Sequence, residues 1–456
     1  MGRADIGVLV RAGAVAVGLL AGVAAGGGRA DDAKPAGGAD ALKDDLLKFN
    51  RAAGEEAQRA KLLAFVKDKE RAKKGVALAL SMQKAATGKD KPFNFSGAMV
   101  VGKAAHYLKQ YDAAEYFYDY AADSAVKIES GEKTVQAYEG LIDLYWDRKK
   151  YDDVIDVCEK FVELKGGDEV DQVKPFILER LVQAKARQGR TEEALRITEG
   201  LIQTTEGSWY FTQLKGWVQR EAGKFDDAIE TYLEVLDKLD AAKGLKGDAR
   251  DRMKDRVRYT LSGVYVDNHD VDKAAKQLQT LIKRDPENPM YKNDLGFIWA
   301  DNDLKLDEAE KLVREAIAQD KKRQETAKGD GKIDEVKENA AYLDSLGWVL
   351  FKQKKFADAL PYLKKAAADD DEGGHLEIWD HLADVHLALG QKKEATDAWQ
   401  KGLTMEDVSK RDAERRKKVV AKLKAAGVEP KVTTPEKAEP EKKVAPKKKP
   451  DAKPID

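Results

Sequence analysis

The chain has 456 residues, of which 36% are charged and 42% hydrophobic. Its 81 lysines and arginines balance 82 aspartates and glutamates to a formal net charge of -1. This balance excludes the strong basic field that drives general nucleic-acid binding, so no nucleic-acid partner is expected. A single cysteine, Cys158, excludes an intramolecular disulfide.

Residues 1–30 have the layout of a secretory signal peptide. Arg3 and Arg11 precede a run of small apolar residues that ends at Ala25. We expect cleavage after Ala30, with Ala25 as the alternative. The other interpretation, an uncleaved membrane anchor, is disfavoured because the run is shorter than the roughly 20 apolar residues that span a bilayer. No cysteine follows for a lipid anchor, so the sequence predicts an exported protein, periplasmic or envelope-associated, with no stable transmembrane segment after signal removal.

A short linker, residues 31–41, leads into an N-terminal helical segment, residues 42–92. The second of these stretches is predicted to form two or three charged amphipathic helices, interrupted near Gly54 and Gly75. Such helices are expected to cap or begin the array of helices that follows.

The clearest local pattern lies in residues 339–372. Apolar side chains recur there at the i, i+3, i+4, i+7 spacing of a buried helical stripe, over 342–350 and again over 356–366. The polar stretch between the stripes is long enough only for a tight turn, which predicts an antiparallel helical hairpin. We expect Gly347 and Ala359 to face each other, because small side chains let the two helices approach closely.

This hairpin pattern recurs along residues 93–409. A small or aliphatic residue is followed twelve or thirteen positions later by alanine, or once by valine, and seven positions after that by another small, aliphatic or aromatic residue. Successive copies have a base period of 34 to 36 residues, lengthened in places by insertions. The eight copies begin at Gly102, Ile142, Val182, Gly216, Ser262, Gly296, Gly347 and Ala383.

The pattern resembles the tetratricopeptide repeat (TPR) family, in particular exported bacterial members, over about residues 97–410. The resemblance implies an all-α fold, a right-handed superhelical solenoid of about eight TPR-like hairpins with N-terminal helices and a disordered C-terminal tail. It also implies a non-enzymatic scaffold that binds a protein or peptide. The best matches to the family's repeat are Leu346, Gly347, Phe356, Ala359 and Ala366 and, in the last copy, Trp379, Leu382, Ala395 and Trp399.

Two segments follow the repeats. Residues 410–427 read as a basic helix that covers the last hydrophobic edge of the array. Residues 428–456 are rich in lysine, proline and glutamate and too poor in apolar residues to fold, so we expect a disordered tail. The tail is interpreted as solubilising; the alternative is a weak contact of its lysines, within 442–453, with an anionic wall polymer or a membrane surface.

A search for catalytic or metal-binding patterns yields only weak candidates. The one histidine cluster is His375, His381 and His386. His381 and His386 are five residues apart, about 140° around a helix, so they do not converge as metal ligands do. The segment 329–335 resembles the middle of a calcium loop but lacks the acidic residues at its ends. Cys158 falls at a helix-packing position. We therefore predict no catalytic residue, no cofactor and no metal.

The resemblance also suggests a binding surface, because the first helix of each hairpin lines the inner wall in this family. Large aromatics beside carboxylates suit an extended partner segment with apolar and basic side chains. The alternative is that the aromatics pack between hairpins and the acids form a solvated face. The predicted partner-binding residues are Trp217, Phe297, Trp348, Asp344, Asp380, Asp384, Glu139 and Asp143.

Two other functions are weighed against the scaffold. One is a purely structural spacer of the envelope or wall. The other is an enzyme with an unrecognised site, for which only the insertions at 240–256 and 320–338 could supply residues outside the repeats.

Overall fold

The computed structural model describes residues 38–165, 167–242, 244–369, 373–406 and 410–431. The predicted signal peptide and nearly all of the predicted tail lie outside these residues. Over the described ranges the chain is helical without any strand, which confirms the all-α prediction. None of the helices described is long and apolar enough to cross a membrane.

Three N-terminal helices precede eight consecutive helical hairpins, and one further helix follows them. The N-terminal helices are α1 (Gly38–Leu47), α2 (Gly54–Val66) and α3 (Lys69–Ala85). The hairpins are α4 (Phe95–Tyr107) with α5 (Tyr111–Lys127), α6 (Gly131–Asp147) with α7 (Tyr151–Val162), α8 (Asp168–Arg187) with α9 (Thr191–Thr204), α10 (Trp209–Glu221) with α11 (Phe225–Ala241), α12 (Gly247–Asp267) with α13 (Val271–Arg284), α14 (Pro289–Asp301) with α15 (Leu306–Gly329), α16 (Ala340–Lys352) with α17 (Phe356–Ala367), and α18 (Leu376–Ala388) with α19 (Lys392–Gly402). The last helix is α20 (Lys410–Ala425).

Every hairpin turns in the same way. The second residue after the first helix adopts a positive φ, and the next residue donates its backbone N–H to a carbonyl five positions earlier, as Lys355 does to Leu350 at 2.9 Å. This closure satisfies carbonyls that the helix end would leave unpaired. The positive-φ residues are Lys109, Lys149, Gly189, Gly223, His269, Asp303, Lys354 and Gly390.

Asparagine side chains fix the start of three first helices. Asn94 accepts a hydrogen bond from the N–H of Gly97, and Asn339 accepts one from that of Tyr342 at 3.0 Å. Asn288 caps α14 in the same manner. These caps satisfy otherwise orphan donors and so determine where each helix begins.

The small residues of the repeat lie where the two helices of a hairpin cross, but the side chain nearest to Gly347 is that of Leu363 and not the predicted Ala359. A methyl group on Gly347 would lie 2.5 Å from Cγ of Leu363, one turn beyond Ala359. Side chains on a helix tilt toward its N-terminus, so the position opposite the glycine is covered by the residue one turn later. The same relation pairs Gly102 with Tyr118, Gly216 with Tyr232, and Gly296 with Val313.

The chain divides into two compact units, residues 1–238 and 239–456. In the first unit, Phe117, Tyr138 and Phe161 are almost fully buried between the hairpins. In the second unit, the corresponding core includes Leu278, Leu363 and Trp399.

The N-terminal helices pack against the first hairpin. Asn50 links them to the start of α4 by donating to the carbonyl of Pro92 at 2.7 Å and accepting from the N–H of Asn94 at 3.0 Å. Gly75 does not interrupt a helix, contrary to expectation, but lies inside α3. A methyl group there would meet the ring of Phe65 at 2.7 Å, so this glycine serves close packing.

Candidate partner-binding surface

The first helices of the second unit form one continuous surface, here called the first-helix face and made of α12, α14, α16 and α18. Helix α16 lies between α14 and α18. Helix α12 joins α14 through Tyr259, whose hydroxyl donates to Asp294 at 2.7 Å. Burial raises the pKa of this carboxyl, although the hydroxyl of Tyr259 opposes the rise.

Trp348 lies between neighbouring hairpins of this face. Its ring stacks on His381 of α18 with centroids 4.0 Å apart, and on Phe351 at 4.9 Å. The indole N–H donates to a carboxylate oxygen of Asp301 in α14 at 3.2 Å. With 8% of its surface exposed, Trp348 links three successive first helices. Its predicted role in partner binding stays a prediction.

His381, a member of that stack, forms a buried pair with Asp344. The Nδ1 atom of His381 lies 3.0 Å from both carboxylate oxygens of Asp344. Burial disfavours the charged imidazole, but the Asp344 carboxylate outweighs this effect and raises the pKa of His381 above its ordinary value. Asp344 is only 5% exposed, so this predicted partner-binding residue already has an internal partner.

Asp380 and Asp384 are paired with the last helix of the chain. Lys422 of α20 donates to Asp380 and Asp384, in each case at 2.7 Å. Asp380 also accepts from the indole N–H of Trp399 at 2.9 Å and from Arg415 at 3.3 Å. Burial opposes ionisation of Asp380, but the nearby cations, Lys422 foremost, hold its pKa below the usual value. Burial and the neighbouring Asp380 raise the pKa of Asp384.

Helix α20 therefore lies on the first-helix face. At one end Arg411 donates to Asp267 of α12 through Nε at 2.8 Å. In its middle Arg415 forms an ion pair with Glu377 of α18 and lies 3.4 Å from Nε2 of His381. The stripe of side chains that faces the second unit consists of Arg411, Arg415, Val419, Lys422 and Leu423, of which the two aliphatic residues are fully buried.

The predicted acids of the first unit have a different environment. Glu139 is exposed and Asp143 half-buried on α6, and neither takes part in a hydrogen bond or ion pair of the described chain. Desolvation by the surrounding protein, together with the carboxylates of Asp143 and Glu55, raises the pKa of Glu139 to about 7. Lys103 of α4 lies close enough to oppose this rise, while desolvation lowers its own pKa.

Trp217 and Phe297 are the more accessible of the predicted aromatics, each of them half-buried. The guanidinium of Arg187, from the preceding hairpin, lies 5.6 Å from the Trp217 ring centroid in a cation–π contact. The ring of Phe297 lies 6.2 Å from that of His381, beside the stack. The eight predicted residues thus belong to two separate units. Nothing tests their binding role, which stays a prediction.

The sequence predicted that residues 410–427 cover the last hydrophobic edge of the array, and α20 does pack on α18 and α19 with Val419 and Leu423 in the shared core. Sequence reasoning missed only the acidic residues that α20 meets. The signal was present, because Arg411, Arg415 and Val419 recur every four residues and Lys422 and Leu423 continue the same helical stripe. A basic stripe alone does not identify the acidic surface that it meets. That surface is assembled from residues far apart in the sequence.

The weak catalytic candidates occupy structural positions. His386 forms a hydrogen bond with Gln391 just beyond the end of its own helix, and His375 lies at the start of α18. Burial raises the pKa of the Cys158 thiol to about 12, which keeps it protonated and unreactive at neutral pH. Within the described ranges, no three histidine, cysteine, aspartate or glutamate side chains are placed to hold a metal ion.

Much of both insertions consists of extended helix. Helix α12 starts at Gly247, inside the first insertion, and α15 continues through the second as far as Gly329. These extra turns lengthen existing hairpins and build no separate domain in the described chain.

The geometry defines a class of protein, a repeat of antiparallel helical hairpins whose first helices share a surface. A family model for the tetratricopeptide repeat matches residues 259–323 and 345–405, which correspond to the hairpins from α12 to α19. Over these residues the chain consists of tetratricopeptide repeats, which confirms the resemblance to that family found in the sequence. The likeness to exported members stays a prediction.

The chain is also similar to individual proteins. A TPR repeat-containing protein of Pseudomonas aeruginosa is 30% identical over 165 residues, which cover 33% of this chain and 25% of that protein. A tetratricopeptide repeat protein from Parabacteroides merdae has 14% identity and a TM-score of 0.42, covering 62% of this chain and 99% of its own. A thermophilic TPR protein from Thermus thermophilus has 16% identity and a TM-score of 0.33, covering 47% and 100%.

Proposed function

We propose that this protein is a non-enzymatic scaffold of the cell envelope that binds a protein or peptide partner on the first helices of its hairpins. Tetratricopeptide repeats generally mediate contacts between proteins. The observation that carries the proposal is the docking of α20, because a helical segment with basic and aliphatic side chains lies on the first-helix face. The face is therefore compatible with binding a peptide segment through charge and apolar contact.

The first unit supports the same proposal by a second route. Glu139 and Asp143 project from a first helix without a described hydrogen bond, and desolvation already raises the pKa of both carboxyls. A basic side chain from a partner would relieve that unfavourable ionisation. The partner that we propose for this surface thus carries lysine or arginine.

Placement in the envelope rests on the sequence of residues 1–30, with its arginines ahead of a small apolar run. The proposed scaffold works after export and after removal of this segment. Partners are accordingly sought among envelope proteins.

Affinity capture from an envelope extract tests the proposal. The wild-type chain is compared with the double variant Glu139→Gln/Asp143→Asn, which removes two charges from the first helix α6. The control is Glu230→Gln/Asp237→Asn, which makes the same change at two exposed positions of the second helix α11. We expect mass spectrometry to show proteins that are captured by the wild type and the control and lost with the α6 variant. Equal capture by all three chains would contradict the proposed surface.

A further inference from the structure

We propose that α20 is a built-in ligand of the first-helix face, and that the external partner of this face is a basic amphipathic helix that takes its place. This inference rests on the proposed function and specifies the chemistry of the partner. The proposed occupant presents cations at the positions of Arg411, Arg415 and Lys422, and aliphatic side chains at those of Val419 and Leu423.

Charge complementarity supports this assignment. The three cations of α20 contact acidic residues from two different hairpins, Asp267 on α12 and an acidic row on α18. The acidic row of α18 consists of Glu377, Asp380 and Asp384 at successive turns of one helix face. Successive turns present their side chains to the same side, so a helix that lies along the row meets all of them. The surface therefore selects a helix by its spacing of positive charge.

The apolar contact of α20 is confined to one side of the helix. Val419 and Leu423 are fully buried in the core of the second unit, and Val420 is partly buried against it. The ion pairs are partly open to solvent, since the side chains of Arg411 and Lys422 remain 59% and 32% exposed. An ion pair that stays exposed to solvent, such as that of Arg411 with Asp267, contributes little to stability. The pairs of Asp380 hold α20 more firmly, because that side chain is only 4% exposed. An element held in this way opens more readily than the hairpins beneath it.

Arg416 also ties α20 to the array. It donates to the carbonyls of Leu403, at 2.7 Å, and Met405, both just after α19 ends. These bonds anchor the helix beside its last hairpin and do not involve the first-helix face. This anchor at Arg416 remains when the basic stripe leaves the first-helix face. Helix α20 then stays near that face and competes with any external helix as a tethered ligand.

The test uses a fluorescein-labelled synthetic peptide with the sequence of residues 410–426 and the full-length chain as receptor. In the variant Arg415→Glu/Lys422→Glu the internal helix is repelled by the acidic row, so the face is open. The control, Lys418→Glu/Lys424→Glu, changes the net charge equally on the exposed side of the same helix. Fluorescence anisotropy gives the dissociation constant of the peptide for each chain.

We expect the peptide to bind the Arg415→Glu/Lys422→Glu chain about tenfold or more tightly than the wild type. In the wild type α20 occupies the first-helix face, and the apparent affinity of the peptide falls with the fraction of chains whose face is open. The control should match the wild type, and a peptide of scrambled sequence should not bind. Equal binding by the variant and the wild type would overturn the proposal. So would binding of the scrambled peptide.

Hydrogen exchange shows whether the substitutions release α20 without unfolding the hairpins beneath it. In the Arg415→Glu/Lys422→Glu chain, residues 410–425 should exchange rapidly while α18 and α19 keep the protection of the wild type. If α18 loses protection as well, the milder variant Arg411→Glu, changed at a largely exposed side chain, repeats the titration with the same expectation. A wild-type chain in which residues 410–425 are unprotected from the start would also overturn the proposal.

Two outcomes separate this inference from the proposed function. If the peptide prefers the opened chain but the wild-type chain captures no envelope protein, the internal ligand stands and the proposed scaffold fails. If capture succeeds and the peptide does not distinguish the chains, only the internal ligand fails. A wild-type chain that dimerises by exchanging α20 would overturn the assignment to an external partner.

Discussion

At the scale of single residues, the hairpins depend on the absence of side-chain atoms at a few crossings. Gly347 leaves room for Leu363, and Gly296 leaves room both for Val313 and for the backbone carbonyl of Ala309. Close packing of this kind tolerates little added volume, because protein interiors are already as dense as organic crystals.

The first prediction is that Gly347→Ala destabilises the protein. Its new methyl group would lie 2.5 Å from Cγ of Leu363, and overpacking of this kind costs about 1 to 3 kcal/mol. The control is Gly200→Ala in α9, where a methyl group meets nothing within 4 Å. That change should stabilise the chain by about 0.5 to 1 kcal/mol, because alanine loses less backbone entropy in a helix. Urea unfolding measures the change in the free energy of unfolding for both variants. Equal effects would show that Leu363 can move aside for the new methyl group.

The second prediction concerns pH. The raised pKa of Glu139, about 7, means that the folded chain binds this proton more tightly than the unfolded chain, in which glutamate titrates near about 4.3. The stability that Glu139 contributes through this proton is fully present below the unfolded pKa of about 4.3. It is lost as the pH rises through the folded pKa of about 7. Glu139→Gln removes the dependence, so relative to wild type it should be more stable at pH 8 than at pH 4. Melting curves of the wild type and the variant at pH 4 and pH 8 test this, and Glu230→Gln, at an exposed position of α11, is the control. If the two variants depend on pH in the same way, the raised pKa of Glu139 is contradicted.

At the scale of helices and turns, the same closure ends all eight first helices, although only three of the eight positive-φ positions are glycine. The remaining five carry lysine, histidine or aspartate in a left-handed conformation that costs a residue with a Cβ about 1 to 2 kcal/mol. The closing hydrogen bonds and the packing of the following helix outweigh that cost.

The third prediction follows from this comparison. Lys354→Gly, at a position with φ of 65° and an exposed side chain, should raise stability by about 0.5 to 1 kcal/mol. Gly390→Ala, at the equivalent turn with φ of 78°, should lower it by about 1 kcal/mol although no atom obstructs the methyl group. Thermal unfolding measures both changes. A destabilised Lys354→Gly chain would show that the lysine side chain contributes more than its backbone costs.

The helices and hairpins could be predicted because their signals are local and are repeated in each copy. The stripe of apolar residues, the short turn and the small residue lie within one 34-residue window. To predict that Leu363 packs against Gly347, one must take into account the tilt of helical side chains as well as their spacing. The ion pairs of α20 could not be predicted, because Asp267 and Asp380 are 113 residues apart in sequence and only folding brings both into contact with one helix.

At the scale of the whole molecule, a net charge of -1 conceals a strong internal separation of charge. In the second unit, the acidic row of α18 and Asp267 of α12 face a basic last helix. The segments beyond the described residues extend this separation, since the chain starts with an arginine-flanked apolar run and ends in a tail rich in lysine. We propose that the first of these segments directs export.

The last prediction tests that proposal in the native host. Replacement of Leu19 and Leu20 by aspartate places two charges inside the apolar run, where each is strongly disfavoured in a membrane environment. We expect the wild-type chain to be recovered outside the cytoplasm with an N-terminus at Asp31, or at Gly26 if cleavage follows Ala25. The Leu19→Asp/Leu20→Asp chain should remain in the cytoplasm with the segment intact, and it should retain the helical circular dichroism of the wild type because the hairpins lie far beyond the change. N-terminal sequencing and cell fractionation give both results. A soluble wild-type chain that retains Met1 in the cytoplasm would contradict export and would move the search for partners there.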